Sequence, residues 1–464
     1  MLKTFFIFLF IIFFSQIYPV CDVNVTKNTI SSIEKILKRV FDFKSSIKNS
    51  LSFLKNNMSQ INSKKSDSEK AMEQSGFYQG DMLLTEDQSE DLIDKIAQTA
   101  EESGVDVSDI VGDKETRKKR RINRNKNTRW NFPIHYYVDY SVDKDLIRKA
   151  LKILEDETCL QFQQVNKPSE SSPGLRYYKG DGCNSHVGMK PTFGFQDISI
   201  GDKCNGIGTV QHETMHALGF IHEQSRADRD RYLNVFLENV IDLMAHNFIK
   251  LELKDTLSYG SDYDFGSVMQ YSTNAFSKNK QATMLPINKL YEMTPGLLRS
   301  ISFLDARTIN QHYCYDKIRK DLYCENEGYA DPNKINQCRC IKGFTGRTCN
   351  KIETGSNCGK QELVTYGEKG KLQISGKKDC VYHIKFDGNS ESTIKIEQMS
   401  IYPHYDNRCE YDNSVEVKFK FEKATSGAHF CHKKKGMVFD VEDSYALIHY
   451  RSTDDDNYVT ITYE

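Results

Sequence analysis

His212-Glu213-Thr214-Met215-His216-Ala217-Leu218-Gly219-Phe220-Ile221-His222-Glu223 is the stretch on which the reading of this chain turns. On a helix, His212 and His216 stand four residues apart, so both imidazoles leave one face about a turn apart and can share a metal ion. Gly219 sits where the helix should stop. A residue that tolerates positive φ lets the chain turn back and bring His222 toward the ion from another side. Three neutral imidazoles with an open position suit a catalytic zinc, whereas a structural zinc closes its shell with a fourth protein ligand, usually cysteine. Glu213, beside the first ligand, is placed to take a proton from water at the metal and pass it to a leaving amine; zinc lowers the pKa of such water to about 7. HExxH alone also fits a solvated helix face that happens to carry two histidines. The longer HExxHxxGxxH makes that reading hard to sustain.

Two further segments extend the pattern: Glu223-Gln-Ser-Arg226-Ala-Asp228-Arg229-Asp230, and Ser267-Val-Met269-Gln-Tyr271. With them the chain resembles the astacin family of zinc endopeptidases, a branch of the metzincins. The resemblance implies an α+β metzincin catalytic domain that holds one Zn2+ through His212, His216 and His222, with Met269 in a Met-turn beneath them. It implies Glu213 as general base and then acid, and Tyr271 as an extra zinc ligand that swings away to stabilise the tetrahedral intermediate. It also implies a link from Glu223 to the new amino terminus created by activation, and disulfides Cys159–Cys314 and Cys183–Cys204. Gln270 stands where the family often has His. Gly296-Leu-Leu298-Arg299 aligns with a family segment reading G-Q-R, whose arginine favours an acidic residue just after the scissile bond. Here the register puts Leu298 at that place and Arg299 one later, so a less acid-selective pocket is expected.

Outward from this site, the 464 residues suggest about three domains. A net charge of −1 gives no global field for nucleic acid or a membrane surface. Residues 1–20 carry Lys3 and then an apolar run from Phe5 to Phe14, too short to span a bilayer, and read as a secretory signal peptide. No later stretch is apolar enough to span, so a secreted, extracellular protein without a membrane span is expected. Of 13 cysteines, Cys21 lies at the signal boundary; the others, from Cys159 onward, form an even set that can pair completely in an oxidising compartment.

Residues 21–121 read as a propeptide, rich in Ser, Lys, Asp, Glu and Asn. Ile33, Ile36, Leu37, Val40 and Phe41 recur at helical spacing, yet the segment looks poor in core. Asn24 and Asn57 are N-glycosylation sequons. Arg117-Lys-Lys-Arg120-Arg121 fits the cleavage pattern of a furin-like activating protease, with Arg121-Ile-Asn-Arg124 as a second candidate; a basic run can also be a solvated surface or a nucleic-acid patch. Tyr78-Gln-Gly80-Asp81 resembles the F-x-G-D segment by which astacin propeptides occupy the zinc. On that resemblance Asp81 is a zymogen latch, and a plain turn is the competing reading.

The catalytic domain is placed at 122–316. Ile134, Tyr136, Val138 and Tyr140 alternate as one face of a strand, and Ile147, Ala150, Leu151 and Leu154 form a helical stripe. Val210, Ala217 and Leu218 give the zinc helix a buried opposite side, and Arg226, Asp228 and Arg229 are expected in buried or half-buried pairs. At 320–350, the C-x-C-x8-C spacing resembles the end of an EGF-like module with four cysteines instead of six, which implies Cys324–Cys338 and Cys340–Cys349. So short a segment cannot build a core, and its disulfides would carry its stability; C-x-C could instead bind metal.

At 358–464, Ile394 and Ile396, then Val415, Val417, Phe419 and Phe421, then Val459, Ile461 and Tyr463 have period two, which suggests an all-β sandwich. With Cys358–Cys380 and Cys409–Cys431 it resembles a CUB domain. Asp412 falls where some such domains bind calcium, and a turn aspartate is the other reading. The whole reads as a multidomain zinc metalloendopeptidase, made as a zymogen, that hydrolyses peptide bonds in extracellular proteins. The alternative is a catalytically silent extracellular binding protein acting through its EGF-like and CUB modules. Loss of a ligand or of Glu213 would mark that alternative, and neither is lost.

Overall fold

The computed structural model describes residues 23–40, 67–74, 76–111, 129–190, 194–242, 244–251, 259–297, 299–387, 392–403 and 409–464. The signal segment 1–20, Cys21, Phe41, Asn57, the basic run 117–121 with Arg124, and Leu298 lie outside the described residues.

The catalytic unit is built on a six-stranded sheet ordered β1-β5-β6-β4-β2-β3. Its strands are Met82–Leu83 (β1), Ile134–Val138 (β2), Phe162–Gln164 (β3), Gly174–Tyr178 (β4), Cys183–His186 (β5) and Phe195–Ile200 (β6). Only β5 and β6 pair antiparallel; every other neighbour pair is parallel. β1 comes from the leader and lies at the edge.

Helix Lys144–Glu157 (α4) starts where the Asp143 side chain accepts from Asp145 N and Leu146 N, and it buries Ile147, Ala150, Leu151 and Leu154. Helix Ile207–Ala217 (α5) carries the first two histidines. It is buried from Gly208 to Ala217 rather than along one stripe, because the leader covers the face that bears the histidines. Helix Phe303–Tyr313 (α6) opens with a capping box between Ser302 and Asp305. Asp305 also accepts from Ser267 Oγ at 2.6 Å and Val268 N at 2.9 Å, which ties α6 to the turn under the site. Burial raises the Asp305 carboxyl to about 6.

Two strand readings need correction. Tyr140 lies beyond the end of β2 and is 97% exposed; the chain turns there, with Asp139 Oδ1 accepting from Ser141 N and Oγ, so the apolar alternation outlasts the strand. Phe421 likewise falls past the strand Ser414–Lys418 and is exposed, whereas Phe419 is buried.

The leader has a core, contrary to its composition. The helices at 23–40 (α1) and Glu86–Glu102 (α3) bring together Ile33, Ile36, Leu92, Ile96, Ala97 and Ala100, joined by Tyr78, Met82, Leu84, Val105, Val107 and Val111. Each helix is mostly polar, and only the pairing of their narrow apolar faces makes a cluster. Val187 and Ile221 of the catalytic unit pack against it. A third helix, Asp67–Gln74 (α2), packs Met72 into the apolar cluster that holds Val210 and Met269.

Residues 358–464 form two five-stranded sheets. One is ordered Glu362–Thr365, Lys378–Phe386, Tyr445–Ser452, Ser414–Lys418, Ala428–Phe430; the other is built around Tyr458–Tyr463 and Thr393–Ile401. Burial alternates on the edge strand Glu362–Thr365 of the first sheet but not in its middle, where Tyr445–Ser452 is buried at every position after the first. Its outer face is covered. A Cβ on Gly343 would stand 2.7 Å from Val381 Cγ1, and the Phe344 and His383 rings lie 5.0 Å apart. Farther along that sheet, His429 N donates to Thr294 Oγ1 at 3.1 Å and Ser426 N to Asp264 Oδ1 at 3.0 Å. One apolar cluster crosses the boundary, with Tyr263, Phe265 and Tyr291 on the catalytic side and Phe419, Phe430 and Phe439 on the other.

The segment between the two units also docks. Asn333 Nδ2 donates to Glu155 O at 3.2 Å and Thr158 O at 2.6 Å, and Arg339 Nη1 to Asp156 O at 2.7 Å, so these side chains satisfy carbonyls at the end of α4. The described cysteines are joined as Cys159–Cys314, Cys183–Cys204, Cys324–Cys338, Cys340–Cys349, Cys358–Cys380 and Cys409–Cys431. No helix among the described residues is long and apolar enough to cross a membrane.

Candidate metal centre

α5 delivers His212 and His216 on one face. The chain then leaves the helix at Gly219, whose φ of 98° is a left-handed conformation that glycine adopts without strain. That turn returns His222 to the same point. One ligand atom from each of His212, His216, His222 and Asp81 lies within 4.8 Å of the others, and all four residues are buried.

Each imidazole is oriented by its far nitrogen. Nδ1 of His212 donates to Val268 O at 2.7 Å, that of His216 to Phe220 O at 2.8 Å, and that of His222 to Gln79 Oε1 at 2.8 Å. With Nδ1 protonated, each Nε2 presents a lone pair toward the shared point, as a metal-bound histidine must. Burial pushes His222 down to about 4 and lowers His216 as well, so both rings are neutral near pH 7. Burial works to raise Asp81, and only positive charge at the facing rings would hold its carboxylate well below the usual range.

Asp81 contacts His212 Nε2 at 3.1 Å and His222 Nε2 at 3.3 Å, while its Oδ1 faces His216 Nε2 at 3.4 Å with no hydrogen bond at either atom. A buried anion among three neutral lone-pair donors is a costly arrangement for protein groups alone. The same donor set fits a zinc ion, which takes imidazole nitrogen and carboxylate oxygen in tetrahedral array.

Asp81 is brought there by a tight turn. Gly80 N donates to Phe77 O at 3.0 Å and Met82 N to Tyr78 O at 2.9 Å. At Gly80, φ is 84° and a Cβ would meet Phe276 Cζ at 2.9 Å, so only glycine fits. β1 then runs parallel to β5, with Met82 opposite Ser185 and Leu83 opposite His186. Glu73 of α2 accepts from Phe276 N at 2.9 Å. The turn is therefore more than a surface bend.

Glu213 is fully buried, and neither carboxylate oxygen has a hydrogen-bond partner; burial first, and the charge of Asp81 second, push it well above the usual carboxylate range. Tyr271 does not reach the histidine cluster through its hydroxyl. Its OH donates to the carbonyl of Gln79, and its ring lies 4.5 Å from that of His222. Met269 is buried beneath the site, and its carbonyl accepts from Glu223 N at 3.0 Å. Glu223 is engaged by Arg226 Nη1 and Asp264 N, both at 3.0 Å, and burial raises it to about 7. Arg226 also forks onto Asp228 at 2.9 Å, while Arg229 pairs with Asp230 at 2.8 Å. Asp412 pairs with Arg299, as a surface carboxylate would with any nearby cation.

Gln79 has no role on the sequence reading, yet it orients His222, accepts from Ser225 Oγ at 2.9 Å and receives Tyr271 OH on its carbonyl. A lone glutamine beside a glycine carries no spacing signal that could show this. Gln211 and Gln224 escape the sequence for the same reason: Gln211 Oε1 holds Ser300 and Ile301, and Gln224 Oε1 holds Tyr271 N.

Residues 122–314 match the family model described as Astacin, a peptidase family. The chain is 33% identical over 360 residues to the zinc metalloproteinase nas-34 of Caenorhabditis elegans, covering 76% of this chain and 58% of that protein. To Protein SpAN of Strongylocentrotus purpuratus it is 32% identical over 373 residues, covering 77% of this chain and 57% of that one. Against high choriolytic enzyme 1, a hatching enzyme zinc-protease of Oryzias latipes, identity is 30% and TM-score 0.36, over 41% of this chain and 93% of that one. The chain spans 39% to 58% of the length of the first three curated relatives it matches. The sequence match over the very residues that build the three-histidine centre settles the relationship: this chain belongs to the astacin family of zinc metalloproteinases.

Proposed function

We propose that this chain is a secreted zinc endopeptidase made as a zymogen and acting on extracellular proteins. The observation that carries the reading is the convergence of three oriented Nε2 lone pairs and the Asp81 carboxylate on one buried point. Zinc bound there supplies a Lewis acid that lowers the pKa of water and polarises a carbonyl. Glu213, with both oxygens unengaged, takes the proton from the attacking water and hands it to the leaving amine. Tyr271, once free of Gln79, donates its hydroxyl hydrogen to the carbonyl oxygen as it becomes negative. His212, His216 and His222 hold the metal, with Met269 supporting them from below.

In the uncleaved chain Asp81 takes the position where water and substrate must enter, and Tyr271 is held away by the same turn. Residues 1–20 serve as signal peptide and 21–121 as propeptide, glycosylated at Asn24 and Asn57. A furin-like protease cuts at 117–121 to release the catalytic domain 122–316 with its EGF-like module 320–350 and CUB domain 358–464. The deciding experiment is cleavage of unfolded protein by the secreted chain before and after convertase treatment, with 1,10-phenanthroline as control. Chelator-sensitive activity only after processing is the expected result; a processed, zinc-loaded chain that cleaves nothing refutes the reading. Glu213→Gln should keep one zinc per chain and lose roughly 10²- to 10⁴-fold in kcat.

A further inference from the structure

The three histidines are held at their far nitrogens by different parts of the chain. His212 and His216 give their Nδ1 hydrogens to carbonyls of the catalytic unit, those of Val268 and Phe220. His222 gives its own to Gln79 Oε1 at 2.8 Å, and Gln79 belongs to the leader. The same oxygen takes Ser225 Oγ at 2.9 Å, so one leader side chain clasps both ends of the turn 222–225 that follows the zinc helix. Gln79, His222 and Ser225 are all fully buried, and water does not compete for these bonds.

The backbone of Gln79 is bent to make this reach. Its φ is 47°, a left-handed conformation that glutamine rarely adopts and that glycine or asparagine takes with less strain. A turn built only to present Asp81 would be served as well by glycine at this position. Gln79 Nε2 donates to Tyr78 OH at 3.2 Å, which leaves the amide oxygen for the imidazole. A partner at the far nitrogen of a metal-binding histidine fixes the ring and makes the metal-facing nitrogen more basic; its loss ordinarily lowers metal affinity by roughly 10- to 100-fold.

We propose that Gln79 is a positioning residue for the zinc: acting through His222, the leader holds the metal in the uncleaved chain more firmly than the processed chain holds it alone, by a route separate from the Asp81 carboxylate. The inference rests on the zinc endopeptidase reading above. It gives the leader a second task beside covering the site, which is to keep the site loaded until the leader is cut away. Release of the leader then removes the acceptor from His222 and Ser225 at once and frees the turn that carries the third ligand.

The test uses the full uncleaved chain loaded with zinc and follows transfer of the metal to excess zincon, a readout that needs no peptide cleavage. Gln79→Gly removes the side chain at a φ that glycine accepts; it should release zinc roughly 10- to 100-fold faster than the parent, and should do so again when added to Asp81→Ala. Gln79→Glu keeps an acceptor oxygen and should release zinc as slowly as the parent. Uncleaved Asp81→Ala, which still has Gln79, should lose zinc more slowly than the processed parent. The proposal is overturned by a Gln79→Gly chain as slow as the parent, a double variant no faster than Asp81→Ala alone, a Gln79→Glu chain as fast as Gln79→Gly, or a processed parent that keeps zinc as long as uncleaved Asp81→Ala. If Gln79→Gly does not fold, Gln79→Asn, which tolerates the same φ and draws the oxygen back, reads the same rates with the same outcomes. A parent that binds zinc and cleaves protein once processed, with variants that release zinc at the parent rate, refutes this assignment alone. A parent that binds no zinc refutes the zinc endopeptidase reading and this inference with it.

Discussion

The leader meets the catalytic unit through a two-residue parallel strand, the Asp81 carboxylate, hydrogen bonds and a few apolar side chains such as Met72, whereas the C-terminal sandwich shares a larger apolar cluster with it. Polar contacts can be exchanged for water or for a substrate with little net loss, since each is replaced by another hydrogen bond. Shared apolar burial cannot be exchanged in that way, because separating the two units would expose it. The difference teaches which of the two covers is held more by contacts that water can replace. The leader carries most of its core itself and adds a few apolar contacts to the catalytic unit; the sandwich borrows a larger part of its core from its neighbour.

The strongest way to break this contrast is Tyr291→Ala. Tyr291 is buried between Phe265, at a ring distance of 4.8 Å, and Phe419, at 5.7 Å. The variant should lose about 3–5 kcal/mol, and limited proteolysis should open the catalytic unit and the sandwich together. Digestion of the sandwich alone would show that the two cores are separate.

Asp81→Ala probes the other cover. The unprocessed variant should cleave peptides about 100-fold faster than the unprocessed parent, equivalent to about 2.7 kcal/mol of lost inhibition. An unprocessed variant as silent as the parent would mean that bulk, not the carboxylate, closes the site.

Acid should act on the sandwich. Burial holds His429 at about 3 and His383 at about 4, so the unfolded chain binds their protons first as pH falls below 6.5. Stability is therefore full above 6.5 and declines toward pH 3, by about 2 kcal/mol at pH 5 for His429 alone. Glu416, held well below its usual range despite burial by Lys418, His429, His449 and Arg451, pushes in the same direction at lower pH. Thermal unfolding between pH 7 and pH 5 measures this, and a flat profile in which His429→Asn changes nothing would contradict it.

The smallest effect is expected at Thr85, whose side chain caps α3 in a capping box with Gln88, while Gln88 Nε2 donates to Val187 O at 2.9 Å. Thr85→Ala should cost about 1 kcal/mol and make the leader easier to digest, with no change in the processed enzyme. A leader as resistant to digestion in Thr85→Ala as in the parent would contradict this.

The histidine motif was legible because helical spacing alone places His212 and His216 together, and a glycine explains the return of His222. Asp81 was legible only through resemblance, since one carboxylate near a glycine has no periodicity. The pairing of α1 with α3 was hidden because average composition dilutes two narrow apolar faces that lie more than 50 residues apart. The docked face of the sandwich was hidden for another reason: Glu416, His429, His449 and Arg451 are polar or charged side chains on its strands, a pattern that suits a solvated face, yet all four are buried. Sequence pattern reports which face is polar, and only the assembled units report whether water reaches it.

Asn333 and Arg339 finish a helix that begins at Lys144, nearly two hundred residues earlier in the chain. A recombination event joining the catalytic unit at its last cysteine, Cys314, to some other small module would discard those caps and leave carbonyls at the end of α4 without partners. The heritable piece is thus larger than the domain drawn on a sequence map. Lineages that reshuffle such enzymes would be expected to carry the seam along with the protease or to rebuild it.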